Sequence, residues 1–300
     1  MRNPDHRPSA ADFDRELLIL FDAYVHGEID RRGFLERARR FAVGGMTAAG
    51  LLAALSPDFA LGQVVAPSDP RLRCGTIRID SPQGQGRIPA YLCHPAQARG
   101  PLPAVLVVHE NRGLNPHIED IARRFALEGY LALAPDALGP LGGYPGDEDK
   151  ARALFAQLDQ DKVRQDMLAA ARALLHHPEG NGRVAVTGFC WGGGIAHWLA
   201  ARLPELSAAV PFYGNLPPPA DAAQVRVPLL IHFADVDERI NAAWPAYEAA
   251  LKAAGARYTA QRYPGTQHGF HNDTTPRYDA AAARLAWSRT LDFLAQHLKG

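Results

Sequence analysis

The chain has 300 residues, of which 47% are hydrophobic and 21% are charged, enough for one large domain with a sizeable core or for two smaller ones. Lysine and arginine together number 32, as do aspartate and glutamate, so the basic excess typical of nucleic-acid-binding proteins is absent and no nucleic-acid partner is predicted. No run approaches the roughly 20 apolar residues needed to cross a membrane, which excludes a stable membrane span.

Residues 1–65 differ in composition from the rest and form a predicted N-terminal region of their own. The pair Arg31 and Arg32 is followed by the apolar run 41–55, which is too short for a membrane anchor but typical of the core of an export signal. This order resembles a twin-arginine signal, and Gly62 supplies a small residue for cleavage. Such a signal predicts a periplasmic or secreted protein.

The alternative for this region is a helical arm retained on a cytoplasmic protein. Two details depart from the export pattern: Asp30 stands where a serine or threonine usually precedes the arginines, and about 30 residues come before them. Asp30 is also a suitable N-cap for a helix. Apolar residues recur before it at helical spacing, namely Phe13, Leu17, Leu20, Phe21 and Tyr24.

A β-hairpin is predicted next, because two strand-like runs flank the turn sequence SPQGQG. Pairing Asp80 with Arg87 opposes unlike charges and places Cys74 opposite Cys93, since both pairs sum to the same number. Directly opposed cysteines can form a disulfide, which an exported protein would permit. Two free, half-buried thiols are the alternative.

Residues 66–300 form the predicted second domain, in which apolar runs alternate with helical patterns. The alternation predicts a mostly parallel central sheet with helices on both faces, preceded by the hairpin. In such sheets, sites form at the carboxyl ends of the strands. The residues that follow the predicted strands are 109–111, 188–190, 213–214, 235–237 and His268.

Cys190 lies in GFCWGGG, directly after the predicted strand RVAVTG. The pattern G-x-C-x-G is typical of a nucleophile elbow, a sharp strand-to-helix turn that holds the nucleophile in a strained conformation above the sheet. The N-terminus of the next helix would favour a thiolate, and the backbone N–H of Trp191 would face a developing oxyanion. A buried, inert cysteine in a glycine-rich turn is the alternative.

A thiol nucleophile needs a histidine base, and an acid must orient that histidine. After Cys190 the chain offers two aspartates at a strand end, Asp235 and Asp237, and two histidines beyond the last strand, His268 and His271. The order nucleophile, acid, histidine is that of α/β-hydrolases. Spacing does not separate the aspartates, and His268 stands nearer to the strand end than His271.

These motifs give residues 70–298 a resemblance to the dienelactone hydrolase family of α/β-hydrolases. The segments that carry it are VVHENRGLN, GYLALAPDALG, VTGFCWGG, AVPFYG, HFADVDERI, PGTQHGF and RTLDFLAQHL. The resemblance implies the α/β-hydrolase fold and selects Asp237 and His268 as the partners of the cysteine. It also implies that Glu110 interacts with the resting cysteine and helps to control thiolate formation, and that the N–H of Asn111 is the second oxyanion donor.

The sequence departs from the family at one position. Dienelactone hydrolase has an arginine four residues after the catalytic histidine that helps to bind the substrate carboxylate, whereas this chain has Asn272. Arg239 and Arg277 are candidates to replace it. Tyr144 and Tyr213 are further candidates to line the pocket, with an exposed loop tip and a core position as the alternatives. The resemblance therefore predicts the reaction class rather than dienelactone as the substrate.

The sequence thus predicts a hydrolase of small esters or lactones that forms a thioester at Cys190 and needs no cofactor or metal. A non-catalytic ligand-binding member of the fold is one alternative. A metal-dependent hydrolase is another, with zinc held by the HGFH segment together with His109 and His232. The spacing of these histidines lacks the pattern of a metal-binding helix, which argues against zinc.

Overall fold

The structure is a computed structural model that describes residues 8–43 and 45–299. The strands in these residues are β1 (Leu72–Ser81), β2 (Gly86–Pro95), β3 (Leu102–Val108), β4 (Leu131–Pro135), β5 (Gly180–Phe189), β6 (Ala208–Phe212), β7 (Leu229–Val236) and β8 (Tyr258–Gln267). They form one sheet in the order β1-β2-β4-β3-β5-β6-β7-β8. β2 runs antiparallel to β1 and β4, and the other neighbours are parallel, so the predicted mostly parallel sheet is confirmed.

Helices cover both faces of this sheet. The α-helices are α1 (Arg15–Val25), α2 (Arg31–Ala38), α3 (Ala48–Leu55), α4 (Phe59–Gly62), α5 (Pro116–Leu127), α6 (Glu148–Phe155), α7 (Gln160–Leu175), α8 (Trp191–Arg202), α9 (Pro219–Ala222), α10 (Glu238–Asn241), α11 (Trp244–Ala253) and α12 (Ala280–Leu298). Short 3-10 helices lie at Ala10–Asp12, Arg39–Phe41 and Gly139–Leu141. Helices α7, α8 and α11 pack on one face, and α5 and α12 pack on the other.

The central strands are apolar throughout because both of their faces are buried. In β3, Leu106 and Val108 belong to the core layer under α7 and α8. Val105 and Val107 belong to the layer under α5 and α12. This double burial fixes the register of the central strands, and with it the position of each strand end where the site lies.

The predicted hairpin register is confirmed. Cys74 lies opposite Cys93 and Asp80 opposite Arg87 in the β1–β2 ladder, and Arg87 Nε is 3.3 Å from Asp80 Oδ1. The two cysteines form a disulfide, as the register allows. Cys190 is therefore the free cysteine of the chain, and it is buried.

Residues 8–43 and 45–65, here called the arm, are largely helical and have a small core of their own. Apolar side chains of α1, α2 and α3 form this core, including Phe21, Phe34 and Leu52. Asp30 caps α2 as expected, since its side chain accepts from the N–H of Gly33 at 2.7 Å. No helix of the part of the chain that the structure describes is both long and apolar enough to span a membrane.

The arm lies across the carboxyl ends of the strands and is held there by polar contacts. Arg152 donates to the carbonyl of Tyr24 at 2.6 Å, and Arg31 pairs with Asp149 at 2.7 Å. Asn111 donates to the carbonyl of Val25, at 3.0 Å. The helices expected of a retained arm are thus present in these residues, while export and cleavage near Gly62 stay predictions.

Candidate active site

Cys190 occupies the sharp turn between β5 and α8. Its φ of 55° and ψ of −113° lie outside the regions that suit most residues, a strain typical of a nucleophile elbow. A Cβ atom on Gly188 would collide with the carbonyl of Gly192, and one on Gly193 would collide with the carbonyl of Phe212. Gly188 and Gly193 are therefore required by close backbone approach, and the turn presents Cys190 at the strand end.

The structure brings His268 and Asp237 together and separates the alternatives. His268 Nδ1 lies 2.6 Å from Asp237 Oδ2, and both side chains are buried. Asp235 instead accepts from the N–H of Gly265 at 3.0 Å, on the neighbouring strand. The ring of His271 stacks on Phe189, with centroids 5.3 Å apart. Burial lowers the pKa of His271 to about 3, so this histidine is neutral in the core.

A residue of the arm, His26, also reaches the sulfur. Its Nε2 is 3.4 Å from Cys190 Sγ, and its ring meets that of His268 edge-on with centroids 4.7 Å apart. A ring nitrogen of each histidine and the sulfur all lie within 4.8 Å of one another. His26 was not among the predicted site residues, although the i,i+4 spacing of Asp22 and His26 at the end of α1 is a visible signal.

This cluster favours a thiolate flanked by imidazolium groups. Burial raises the pKa of the Cys190 thiol, but His268 and His26 outweigh burial and lower the pKa to about 6. Burial lowers the pKa of His268, but Cys190 and Asp237 raise it to about 10. The pKa of His26 likewise reaches about 9, because Cys190 and Asp22 outweigh burial. At neutral pH the sulfur is therefore largely ionised.

Glu110 lies beside the nucleophile but bonds elsewhere. Its Oε2 accepts from Asn272 Nδ2 at 2.9 Å, and both residues line the cavity that contains Cys190. Within residues 8–43 and 45–299, the hydrogen-bond partner of Cys190 Sγ is His26 rather than Glu110. The contact between Glu110 and the resting cysteine that the resemblance implies is thus not formed in this structure.

The two expected oxyanion donors lie next to the sulfur. Trp191 is the first residue of α8, so its N–H has no acceptor within the helix. Its indole donates to Gln160 at 3.0 Å and stacks on His109, which fixes the start of the helix. Asn111 lines both cavities that meet at Cys190. These positions suit donors to an oxyanion, and that role stays a prediction.

A cavity of about 360 Å³ adjoins Cys190 and has walls from both the arm and the residues that follow it in the chain. The arm contributes Tyr24 and Phe59 among others, and the ring of Phe59 meets that of Tyr144 with centroids 5.9 Å apart. Tyr144 also donates to Glu148 at 2.8 Å. Tyr144 therefore lies in the cavity wall rather than at an exposed loop tip.

A second cavity of about 370 Å³ also reaches Cys190 and is lined by His26, Tyr213 and Arg239. Tyr213 is buried with a φ of 37°, and its hydroxyl has no hydrogen-bond partner among the residues described. Arg239 donates to Asn215 at 2.7 Å, and its other terminal nitrogen lies 3.0 Å from His26 Nε2.

The candidate replacements for the family's arginine are already paired. Arg277 lines the first cavity but lies 3.1 Å from Asp22 Oδ1. Arg112, which was not among the predicted site residues, lines the same cavity and lies 3.3 Å from Glu148 Oε2. Arg239 faces the second cavity instead. Each of these cations therefore has a polar partner before any substrate arrives.

The zinc alternative requires His109 and His232 to meet the HGFH segment, and the structure keeps them apart in separate contacts. His109 Nδ1 lies 2.5 Å from the carbonyl of Glu110, and its Nε2 accepts from the N–H of Ala137 at 3.2 Å. Both ring nitrogens of His232 contact hydroxyl groups, of Tyr263 at 2.8 Å and Thr290 at 3.0 Å. Their ring nitrogens are thus engaged in holding the core together.

Both the N-terminal region and the remainder of the chain are similar to known protein families. A model of the dienelactone hydrolase family matches residues 88–298, and a YqhI-like model matches residues 5–44. A Yersinia pestis protein named "Putative carboxymethylenebutenolidase" is 36% identical over 240 residues, covering 75% of this chain and 89% of its own. The Escherichia coli K12 protein "Putative hydrolase fragment YghX" is 53% identical over 114 residues, 38% of this chain and 97% of its own.

A solved structure matches as well. The crystal structure of a "Putative Dienelactone Hydrolase" from Klebsiella pneumoniae has a TM-score of 0.67 and 33% identity, covering 75% of this chain and 99% of that one. The matched family region includes the elbow at Cys190 and the pair of Asp237 and His268. Fold, strand-end residues and sequence similarity agree, and the chain belongs to the dienelactone hydrolase family.

Proposed function

We propose that this hydrolase of the dienelactone hydrolase type cleaves small esters or lactones through a thioester on Cys190. The observation that carries the proposal is the strained elbow, which holds Cys190 at the start of α8 within reach of the buried pair of His268 and Asp237. The adjoining cavity of about 360 Å³ suits a small substrate. The names of the relatives support the same reaction class.

In the proposed reaction, the Cys190 thiolate attacks the carbonyl carbon, and the carbonyl electron pair moves to oxygen. The N–H groups of Trp191 and Asn111 stabilise this oxyanion. When it collapses, the leaving alkoxide takes the proton of the His268 imidazolium and the thioester remains. Neutral His268 then takes a proton from water, whose oxygen attacks the thioester and releases the acid and the thiolate.

Two further groups support these steps in the proposal. Asp237 keeps the imidazole of His268 in one tautomer, because its carboxylate accepts a hydrogen bond from the Nδ1–H group. Glu110 is proposed as a second proton-handling group, since it lines the cavity next to the sulfur. Tyr144 and Asn272 are proposed to contact the substrate in that cavity, which they line, and Tyr213 lines the other cavity.

The charges of the cavity favour a neutral substrate over one that carries a carboxylate. Acidic residues in the wall are Glu110, Asp147, Glu148 and Asp149. The guanidinium groups in the wall, such as Arg112 and Arg277, have carboxylate partners. We therefore propose that aryl acetates and simple lactones react faster than esters of a dicarboxylic acid, and a matched pair of such esters tests this.

The mechanism is tested with Cys190→Ala and Cys190→Ser on a panel of aryl esters and lactones at several pH values. We expect Cys190→Ala to abolish turnover and Cys190→Ser to lose most of it, because serine has no easily reached anion. Iodoacetamide should inactivate the wild-type protein with one label per chain. Full turnover by Cys190→Ala would refute the proposal, and tight ligand binding without turnover by the wild type would favour a non-catalytic member of the fold.

A chelator separates the proposal from a metal-dependent hydrolase. The proposed steps use only side chains and backbone groups of the chain, so dialysis against a chelator is expected to leave turnover unchanged. Loss of activity that returns with added zinc would contradict a reaction based on the thiol alone.

Export through a twin-arginine-like signal that stays attached to the enzyme is proposed as the route to a periplasmic or secreted location. The pair of Arg31 and Arg32 and the apolar run 41–55 support it. Cell fractionation tests the location, and an exclusively cytosolic protein would refute it.

A further inference from the structure

Two acid–histidine pairs converge on the same sulfur. Asp237 and His268 come from the strand ends, with Nδ1 and Oδ2 2.6 Å apart. Asp22 and His26 come from the arm, where His26 Nδ1 is 2.8 Å from the backbone carbonyl of Asp22 and 3.2 Å from its Oδ2. In both pairs the second ring nitrogen is left to face Cys190.

We propose that His26 is a second catalytic histidine of this enzyme, which takes the proton of Cys190 and leaves His268 free to protonate the leaving group. This inference rests on the proposed function, in which Cys190 is the nucleophile. In the resting step, the S–H proton of Cys190 passes to His26 Nε2, giving a thiolate and an imidazolium.

The hydrogen bonds of His26 fix the tautomer that this step needs. Nδ1 faces only acceptors, the carbonyl and carboxylate of Asp22, so Nδ1 carries a hydrogen and Nε2 is the atom that gains or loses the proton. Nε2 is 3.4 Å from Sγ, within hydrogen-bond distance for sulfur. His268 Nε2, by contrast, has no hydrogen-bond partner among the residues described and so remains available to a leaving group.

The titratable and charged groups around His26 determine whether its ring is neutral or protonated. Asp22 on the same helix, Cys190 at the elbow, His268 after β8 and Arg239 on α10 face its ring. A guanidinium group only donates, so the 3.0 Å contact of Arg239 with Nε2 fits the neutral imidazole and has to break when His26 is the imidazolium that flanks the thiolate. Arg239 is exposed and also bonded elsewhere, so its side chain can move away when Nε2 takes the proton from sulfur.

Hydrogen bonds and an ion pair at the end of α1 hold His26 in position. The carbonyl of Val25, the preceding residue, accepts from Asn111 at 3.0 Å and from Arg112 at 3.2 Å. Arg277 fixes the other side of the helix end through Asp22, at 3.1 Å. Gly27 then turns the chain away with a φ of 80°. These contacts fix the end of α1 over the elbow.

The test measures the rate at which iodoacetamide alkylates Cys190 as a function of pH, in the full-length chain. The variants are His26→Ala and His26→Gln, with His176→Ala as a matched control, because His176 is an exposed histidine on the surface. Since the other two cysteines form a disulfide, the label reports Cys190 alone. The assay needs no substrate, so it stays informative even if ester hydrolysis is not the function.

We expect both His26 variants to move the alkylation midpoint upward by about one pH unit or more, a roughly tenfold loss of reactive thiolate at limiting low pH. His176→Ala should leave the midpoint in place. An unchanged midpoint in folded His26→Gln would overturn the proposal. Faster alkylation at every pH with an unchanged midpoint would also overturn it, because His26 would then only shield the sulfur. Thermal unfolding confirms that each variant is folded.

Ester turnover supplies the second readout. If the proposed function holds, His26→Ala lowers kcat/KM most strongly at low pH, and raising the pH partly restores it because the thiol then ionises unaided. A loss that is equal at every pH would argue for a purely structural role and against the proposal. Asp22→Asn is expected to show the same pH-dependent loss in weaker form.

Discussion

Asp237 lies 2.6 Å from His268 through a buried contact of Oδ2 and Nδ1, while Asp235, two residues earlier, bonds to the backbone of Gly265 instead. A comparison of variants of the two aspartates tests which carboxylate orients the imidazole of His268. We expect Asp237→Asn to reduce kcat by roughly 10³- to 10⁴-fold, because an amide favours the wrong imidazole tautomer. Asp235→Asn is the control from the same strand end, and equal losses in both variants would contradict the assignment.

The pKa values in the site predict a broad pH profile. The pKa of Cys190 is lowered to about 6, so the thiolate is present above that pH. The pKa of His268 is raised to about 10, so the imidazolium is present below that pH. Turnover of a neutral ester should therefore rise through the first value, stay level, and fall through the second. An optimum confined to pH above 9 would show that the thiol is not activated.

The aromatic wall that the arm contributes should limit the size of the acyl group. Phe59→Ala removes a ring from the cavity that contains Cys190, and Leu61→Ala on the same short helix removes an exposed side chain. We expect Phe59→Ala to shift the ratio of kcat/KM for bulky over small acyl groups by about tenfold. Leu61→Ala should leave that ratio unchanged. A series of nitrophenyl esters of rising chain length gives the measurement.

The disulfide is expected to contribute stability without taking part in catalysis. Cys74 and Cys93 are 19 residues apart at the edge of the sheet. Closing a loop of this length with a disulfide is expected to raise the free energy of unfolding by about 3 kcal/mol. The double variant Cys74→Ser and Cys93→Ser should unfold at lower urea concentration and keep its ester turnover. Equal counts of reactive thiols before and after reduction of the unfolded wild-type protein would contradict the disulfide.

The active protein should retain the arm. Because His26 contacts Cys190 and Phe59 lines the cavity, cleavage near Gly62 would remove parts of the site. We expect N-terminal sequencing of active enzyme to find residues before His26, whichever compartment it comes from. Full turnover in a natural form that starts after Gly62 would refute this and agree with a cleaved export signal.

Much of the fold could be predicted from the sequence, because in the strands the local pattern of apolar residues agrees with the burial of their side chains. The apolar runs and the strand-end rule placed Cys190, Asp237 and His268 on one edge of the sheet, where the structure has them. The hairpin register followed from charge pairing between Asp80 and Arg87. In each case the signal lies within a strand or the turn next to it.

The remaining features depend on contacts between distant segments. The arm could not be assigned, because a short apolar run between polar segments suits both an export signal and a helix that packs on other helices. Asp235 and Asp237 were inseparable by spacing, because Asp237 is turned towards His268 by the start of α10. Glu110 bonds to Asn272 through a side-chain conformation that only packing determines.

The separation of 164 residues between His26 and Cys190 has a consequence for how the enzyme matures. In the unfolded chain Cys190 is an ordinary thiol with a pKa of about 8.5 and attacks other sulfurs slowly at neutral pH. The hairpin that joins Cys74 to Cys93 is local and can form early, whereas a contact over such a distance forms late. We therefore expect the reactive thiolate to arise only once the arm has packed over the elbow, after the local pairing of Cys74 with Cys93, which would limit attack by Cys190 on that disulfide.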